Sequence, residues 1–136
     1  MKVFISYAQS DERLAEKIAE SLKQAGITIR DYRREILPGE LWSEKASQAL
    51  RDSDAMVVLL TPEAARSKQV RSEINYALSQ DAFKNRLIPV VVGSPDRIPT
   101  KEVPWILWEL QVVNLPERGN QKEGIRQIAR TLLEVA

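Results

Sequence analysis

The 136-residue chain contains neither histidine nor cysteine. The commonest general base and the commonest metal ligand are therefore both missing, and no thiolate nucleophile, disulfide or thiolate metal site is available. Chemistry must run on carboxylates, hydroxyls or amines, and no metal is expected. The loops to inspect begin at Ala8, Asp31 and Thr61. Each follows a β-rich run, and in an open α/β sheet ligands sit beyond the carboxyl ends of the strands. These loops exclude several common functions. Ala8-Gln9-Ser10-Asp11 has none of the three glycines of a dinucleotide fingerprint, and no phosphate loop of glycines and lysine occurs. The third β-rich run ends Leu59-Leu60-Thr61, without the aspartate a phospho-receiver needs there. Only five glycines occur in the chain, none placed for a flavin-phosphate loop.

The elements that must carry these loops can be read from periodicity. Val3–Tyr7, Ile27–Arg30, Asp54–Thr61, Leu87–Val92 and Gln111–Leu115 read as strands, and segments of helical period separate them. Ser10 is the expected N-cap of the first helix, whose apolar face is Leu14, Ile18, Leu22 and Ala25, with Gly26 placed for a left-handed C-cap. Asp31–Gly39 is polar, ends in a Pro-Gly turn and reads as an exposed loop. Glu40–Arg51 is helical with Leu41, Ala46, Ala49 and Leu50 inward. Thr61-Pro62-Glu63 starts a further helix, with Val70, Ile74, Ala77 and Leu78 along one face. Pro89 is compatible with a strand start or an edge. Three prolines from Pro95 to Pro104 make an irregular connection, and Ile125, Ile128, Leu132 and Leu133 line a last helix. Strict alternation predicts one α/β domain over residues 1–136, flavodoxin-like and doubly wound. Its five-stranded parallel sheet is expected in the order 2-1-3-4-5, with helices on both faces. The expected core is Val3, Ile5, Leu14, Ile18, Met56, Val57, Leu59, Val90 and Val91.

Composition narrows the setting. At 43% hydrophobic and 29% charged residues the chain can build a core. Twenty basic residues against nineteen acidic ones give a net charge of +1, without the clustered basic excess of a nucleic-acid protein. The longest apolar stretch, Ala55–Leu60, is a strand's length and too short for a membrane span, so a soluble cytoplasmic domain is expected. The end at Leu132–Ala136 fits either a natural terminus or a domain cut from a longer multidomain protein.

Three segments resemble the signature regions of Toll/interleukin-1 receptor (TIR) domains. They are Phe4-Ile5-Ser6-Tyr7 in the first strand, Arg34–Gly39 in the second loop, and Ser67–Leu78 on the third helix. The likeness covers nearly the whole chain in the right order and is nearest to bacterial members. It implies the flavodoxin-like sheet already read from alternation. It also implies one of two activities: hydrolysis or cyclisation of nicotinamide adenine dinucleotide by a glutamate on the third helix, or assembly with other TIR domains without catalysis. NAD+ would be substrate, with no separate cofactor, and the other partners would be further TIR domains, not nucleic acid or membrane.

Carried over to this sequence, the glutamate is Glu73. At ~100° per residue it falls between Ala77 on the buried face and Tyr76 beside it, where a carboxylate can face a cleft while partly desolvated. Breaking the nicotinamide–ribose bond builds positive charge on the ribose, so a fixed anion favours the transition state. Nicotinamide leaves as a neutral base, so the lack of histidine is no obstacle. The plainer alternative makes Glu73 a boundary carboxylate paired with Arg66, Lys68 or Arg71. Gln69 departs from the family, whose active members carry tryptophan there; a lost stacking surface is worth about 1–3 kcal/mol. Trp42 is either a substitute aromatic wall or a hydrophobic anchor for the second helix. The resemblance places Asp31 beside the ribose and sets Tyr7 and Gln9 at the dinucleotide, Tyr7 being otherwise a core tyrosine. Arg33 and Arg34 either meet phosphates or are solvated. In the family the loop holding Arg34, Ile36, Leu37, Pro38 and Gly39 inserts into a neighbouring domain and completes its site. The alternative is that Ile36 and Leu37 pack back on their own domain.

Overall fold

The computed structural model describes residues 1–30, 33 and 36–135. In chain order its strands and helices are β1 (Lys2–Ser6), α1 (Glu12–Gln24), β2 (Thr28–Arg30), α2 (Trp42–Arg51), β3 (Ala55–Leu60), α3 (Pro62–Arg66), α4 (Lys68–Ser79), β4 (Leu87–Val92), β5 (Val113–Leu115) and α5 (Lys122–Val135). The strands form one parallel sheet in the order β2-β1-β3-β4-β5, the order expected from alternation. β3 lies at the centre, and all six of its residues are buried, as a strand covered on both faces requires.

Side chains alternate along each strand, so the core divides into two layers. Phe4, Met56, Val58 and Leu60 face α2, α3 and α4, whereas Val3, Ile5, Val57 and Leu59 face α1 and α5. Eight of the nine expected core residues are buried; Leu14 is half-buried because Ala15, Ile18 and Leu22 form the inner stripe of α1. Gly26 ends α1 at φ +87°, the left-handed conformation glycine adopts without steric cost. Pro89 sits in an interior strand rather than at an edge. It is tolerated because β5 pairs with β4 only from Val90 onward.

Several local expectations are corrected. Ser10 does not cap α1: Gln9–Asp11 form a 3-10 turn, and the N-cap position falls to Asp11, whose carboxylate accepts a bond from Thr61 instead of capping. The helix expected from Thr61 onward is two helices, broken where Ser67 takes an extended conformation (φ −78°, ψ 118°). Ser67 Oγ accepts from the Val70 N–H at 3.2 Å and so restarts the chain as α4. Leu41 is exposed because it precedes α2 and does not belong to its inner face. Leu78 is half-buried at the margin of the α4 stripe, and Ala25 and Leu133 lie beyond the apolar stripes of α1 and α5.

Candidate active site

The apolar stripe of α4 runs Val70, Ile74, Ala77, and Glu73 lies on it. The Ser67 break lets α4 pack over β1 and β3, which carries Glu73 to the carboxyl end of β1. Glu73 is only 3% exposed, more deeply buried than its place on the helical wheel suggests. Ser6, the last residue of β1 and 1% exposed, donates its hydroxyl to Glu73 Oε1 at 2.7 Å. A short O–H···O bond of this kind supports a carboxylate taken out of water. Arg71, one of the partners considered for Glu73, directs Nη1 to Glu102 at 2.8 Å instead.

Ser6 was not singled out in the sequence, although a signal was there. It is a polar residue at a position where strand alternation points inward, on the Phe4 side of β1. Tyr7, next along, packs with the α1–α5 layer and so lies on the opposite face from Glu73. Arg33 stacks on it, Cζ 3.9 Å from the ring centroid, while Nη2 donates to the Tyr7 carbonyl at 2.7 Å. Gln9 is exposed and donates to Glu12 at 3.1 Å. Gln69 is half-buried one turn before Glu73. Asp31 and Arg34 lie outside the described residues, and so does the side chain of Trp42, which opens α2.

The loop before α2 is a built turn. Pro38 and Gly39 occupy its centre, Gly39 at φ +88°, and the Glu40 N–H donates to the Leu37 carbonyl at 3.0 Å. The Glu40 carboxylate closes the loop, accepting from the Leu37 N–H at 2.8 Å and pairing with Lys45 at 3.3 Å. The Leu37 N–H holds the Glu40 carboxyl below its ordinary pKa; desolvation opposes it, and Lys45 adds to the lowering. The two apolar residues separate: Ile36 packs against the α2–α4 layer, and Leu37 is 65% exposed.

A second carboxylate stands at the ends of β1 and β3. Thr61 Oγ1 accepts from the Ala64 N–H at 3.1 Å, capping α3, and donates to Asp11 Oδ2 at 2.6 Å. Burial raises the Asp11 pKa, the Thr61 bond lowers it and the nearby Glu63 raises it again, with a net upward direction. This pair borders a cavity of about 370 Å³ on the α1–α5 face, away from Glu73. Among the described residues no group of His, Cys, Asp and Glu side chains is arranged to hold a metal ion.

With this geometry in place, residues 3–129 match the family model described as TIR domain. The chain belongs to the TIR domain family. It is similar to the TIR domain of the Toll-related receptor TRR-2 from Hydra magnipapillata, at 22% identity and a TM-score of 0.71, covering 98% of this chain and 95% of that one. A metazoan TIR-STING receptor from C. gigas, solved with 2',3'-cGAMP, superimposes with a TM-score of 0.76 at 24% identity, over 96% of this TIR domain and 38% of that chain. A stimulator of interferon genes protein from Magallana gigas is 30% identical over 93 residues, 66% of this chain. This TIR domain spans 22% of that relative's length. The fold is also shared, at 13% identity and a TM-score of 0.62, with BcmB, a CMP N-glycosidase from Clostridium botulinum, over 94% of this chain and 97% of that one. No helix among the described residues is long and apolar enough to cross a membrane.

Proposed function

We propose that this TIR domain cleaves the nicotinamide–ribose bond of NAD+, with Glu73 as the fixed anion, and that it does so when copies assemble. The observation that carries the reading is the buried Glu73 carboxylate at the carboxyl end of β1, held by the Ser6 hydroxyl. As the C1'–N bond breaks, its electron pair leaves with neutral nicotinamide and positive charge gathers on the ribose. A preorganised carboxylate in a poorly solvated site stabilises that charge far better than water does. Attack by water on C1' then gives ADP-ribose and releases a proton; attack by the adenine ring gives a cyclic product. That the same fold occurs in a protein described as a CMP N-glycosidase supports a link to N-glycosidic chemistry. The proposed setting is immune or effector signalling, in line with relatives described as a TIR-STING receptor and as the TIR domains of the activated Roq1 resistosome.

A second reading rests on Gln69 and Leu37. Gln69 removes the stacking ring that the resemblance leads one to expect, and Leu37 offers an apolar side chain on a rigid turn, both of which suit a non-catalytic TIR–TIR interaction module. One assay separates the two. Nicotinamide release is measured for the wild type and Glu73→Gln, free in solution and crowded on a surface. The enzyme reading expects release that rises with crowding and falls by about two orders of magnitude or more in the variant, the scale of losing one electrostatic stabiliser. Undiminished release in the variant removes Glu73 from the mechanism, and no release from crowded wild type favours the interaction module.

A further inference from the structure

The strand order reverses between β1 and β3, and in an open parallel sheet the loops diverge at such a point and open a crevice beyond the carboxyl ends. The cavity of about 370 Å³ lies there, on the α1–α5 side, and its volume suits a small molecule. Its rim is already braced. Asp11 is tied to Thr61, Arg97 pairs with Glu117 at 2.6 Å, and Lys17 reaches Gln121 at 3.3 Å. Leu14, Pro62 and Val92 supply an apolar wall. Charges of both signs are left over. Glu63 stands near enough to Asp11 to help raise its pKa, and among the described residues no cation lies within ion-pair distance of either. Thr61 occupies Oδ2 of Asp11, which leaves Oδ1 to accept from a further donor. Arg13, in the first turn of α1, lines the same cavity and makes no ion pair among the described residues.

We infer that this cavity binds a small zwitterion of the α-amino-acid type with an apolar side chain. Its ammonium lies between Asp11 and Glu63, its carboxylate meets Arg13, and its side chain rests on Leu14, Pro62 and Val92. An ammonium relieves the repulsion between two carboxylates, and its three N–H donors serve both. The Arg13 guanidinium offers a carboxylate paired N–H donors. A divalent metal is the poorer occupant, because among the described residues no three ligating side chains converge. A simple anion would meet the two carboxylates, and a simple amine would leave Arg13 unanswered. Glu73 does not line this cavity, so binding here does not require NAD+ cleavage.

The test titrates the full chain with L-leucine, following amide NMR shifts. Saturable binding is expected at millimolar ligand or below, with shifts centred on residues 10–14, Glu63 and Val92. N-acetyl-L-leucine lacks the ammonium, L-leucinamide lacks the carboxylate, and glycine lacks the apolar side chain. Each should bind at least about fivefold more weakly than L-leucine. The double variant Arg13→Gln/Glu63→Gln changes two exposed residues, and its fold is checked by circular dichroism. It should weaken L-leucine binding at least about tenfold, the scale of losing two charge-assisted contacts. No saturable shift with millimolar L-leucine, or shifts centred on the exposed Trp105 or Leu37, would overturn the inference. So would any of the three analogues binding as tightly as L-leucine, or an affinity unchanged in the double variant.

Discussion

Glu73 combines two opposing demands. Burial penalises its charge, while the Ser6 hydroxyl, pointed at Oε1 from 2.7 Å, favours it. On the proposed function Ser6 is a positioning residue, and its loss should show in two ways. Ser6→Ala removes one hydrogen bond to a buried carboxylate, a cost of about 1–3 kcal/mol, so the melting temperature should fall by several degrees. The variant should also protonate Glu73 more readily and move the acid limb of the NAD+ cleavage profile to higher pH. A merely structural hydroxyl would lower the melting temperature and leave that limb where it is. The pH–rate profile is therefore the decisive measurement, and circular dichroism melts supply the other half.

Two elements make predictions of their own. α5 approaches β5 so closely at Gly124 that a Cβ there would run into Leu115 Cδ2, with the Asn114 carbonyl at 3.2 Å. Leu115 is buried in the α1–α5 layer, so moving it aside disturbs the packing around it. Gly124→Ala gains about 1 kcal/mol of helix propensity but meets an overpacking cost of about 1–3 kcal/mol. Overpacking wins, and a thermal melt should show destabilisation by a few degrees. The Leu37–Glu40 turn makes the opposite case. Leu37 is already in water and the turn is closed by backbone, Glu40 and Lys45, so Leu37→Asp should leave the melting temperature within about 2 °C of wild type, as surface changes do. If this turn is the assembly plug, the same variant abolishes higher-order species in light scattering and lowers crowding-dependent NAD+ cleavage. A large drop in melting temperature would place Leu37 in its own domain's core instead.

At the scale of the molecule, the ends of β1 and β3 are tied together by the Asp11–Thr61 bond, and the tie depends on pH. Burial, with Glu63 adding to it, raises the folded pKa of Asp11 above its ordinary value near 3.8. From that value up to the raised one, the folded state holds more protons than the unfolded chain, so stability falls as pH rises through the window. Below it Asp11 is neutral in both states, and above it the half-buried charge persists as a constant cost. Asp11→Asn keeps an acceptor for Thr61 and removes the charge. Its melting temperature should match wild type at pH 3 and exceed it by about 1–3 °C at pH 7. Equal melting temperatures at both pH values would show that the Asp11 charge carries no cost in the fold.

The sequence by itself determined the alternation of strands and helices, the parallel order β2-β1-β3-β4-β5 and nearly all of the core, because these follow from local periodicity and the handedness of crossovers. It also carried enough of the TIR signatures to point to Glu73. Tertiary structure alone decided which groups meet. Ser6 and Glu73 are 67 positions apart and become partners only because the break at Ser67 lets α4 pack over β1. Tyr7 and Ser6 are neighbours in sequence yet serve opposite faces, since one residue of strand reverses the direction of the side chain. Asp11 stands at the N-cap of α1 without capping it, its carboxylate being engaged by Thr61, fifty positions away. Ile36 and Leu37, adjacent and alike in character, divided between core and solvent according to how the turn that follows them closes. The Ser6–Glu73 and Asp11–Thr61 contacts join distant segments, and no local pattern encodes the distance across which such a contact forms.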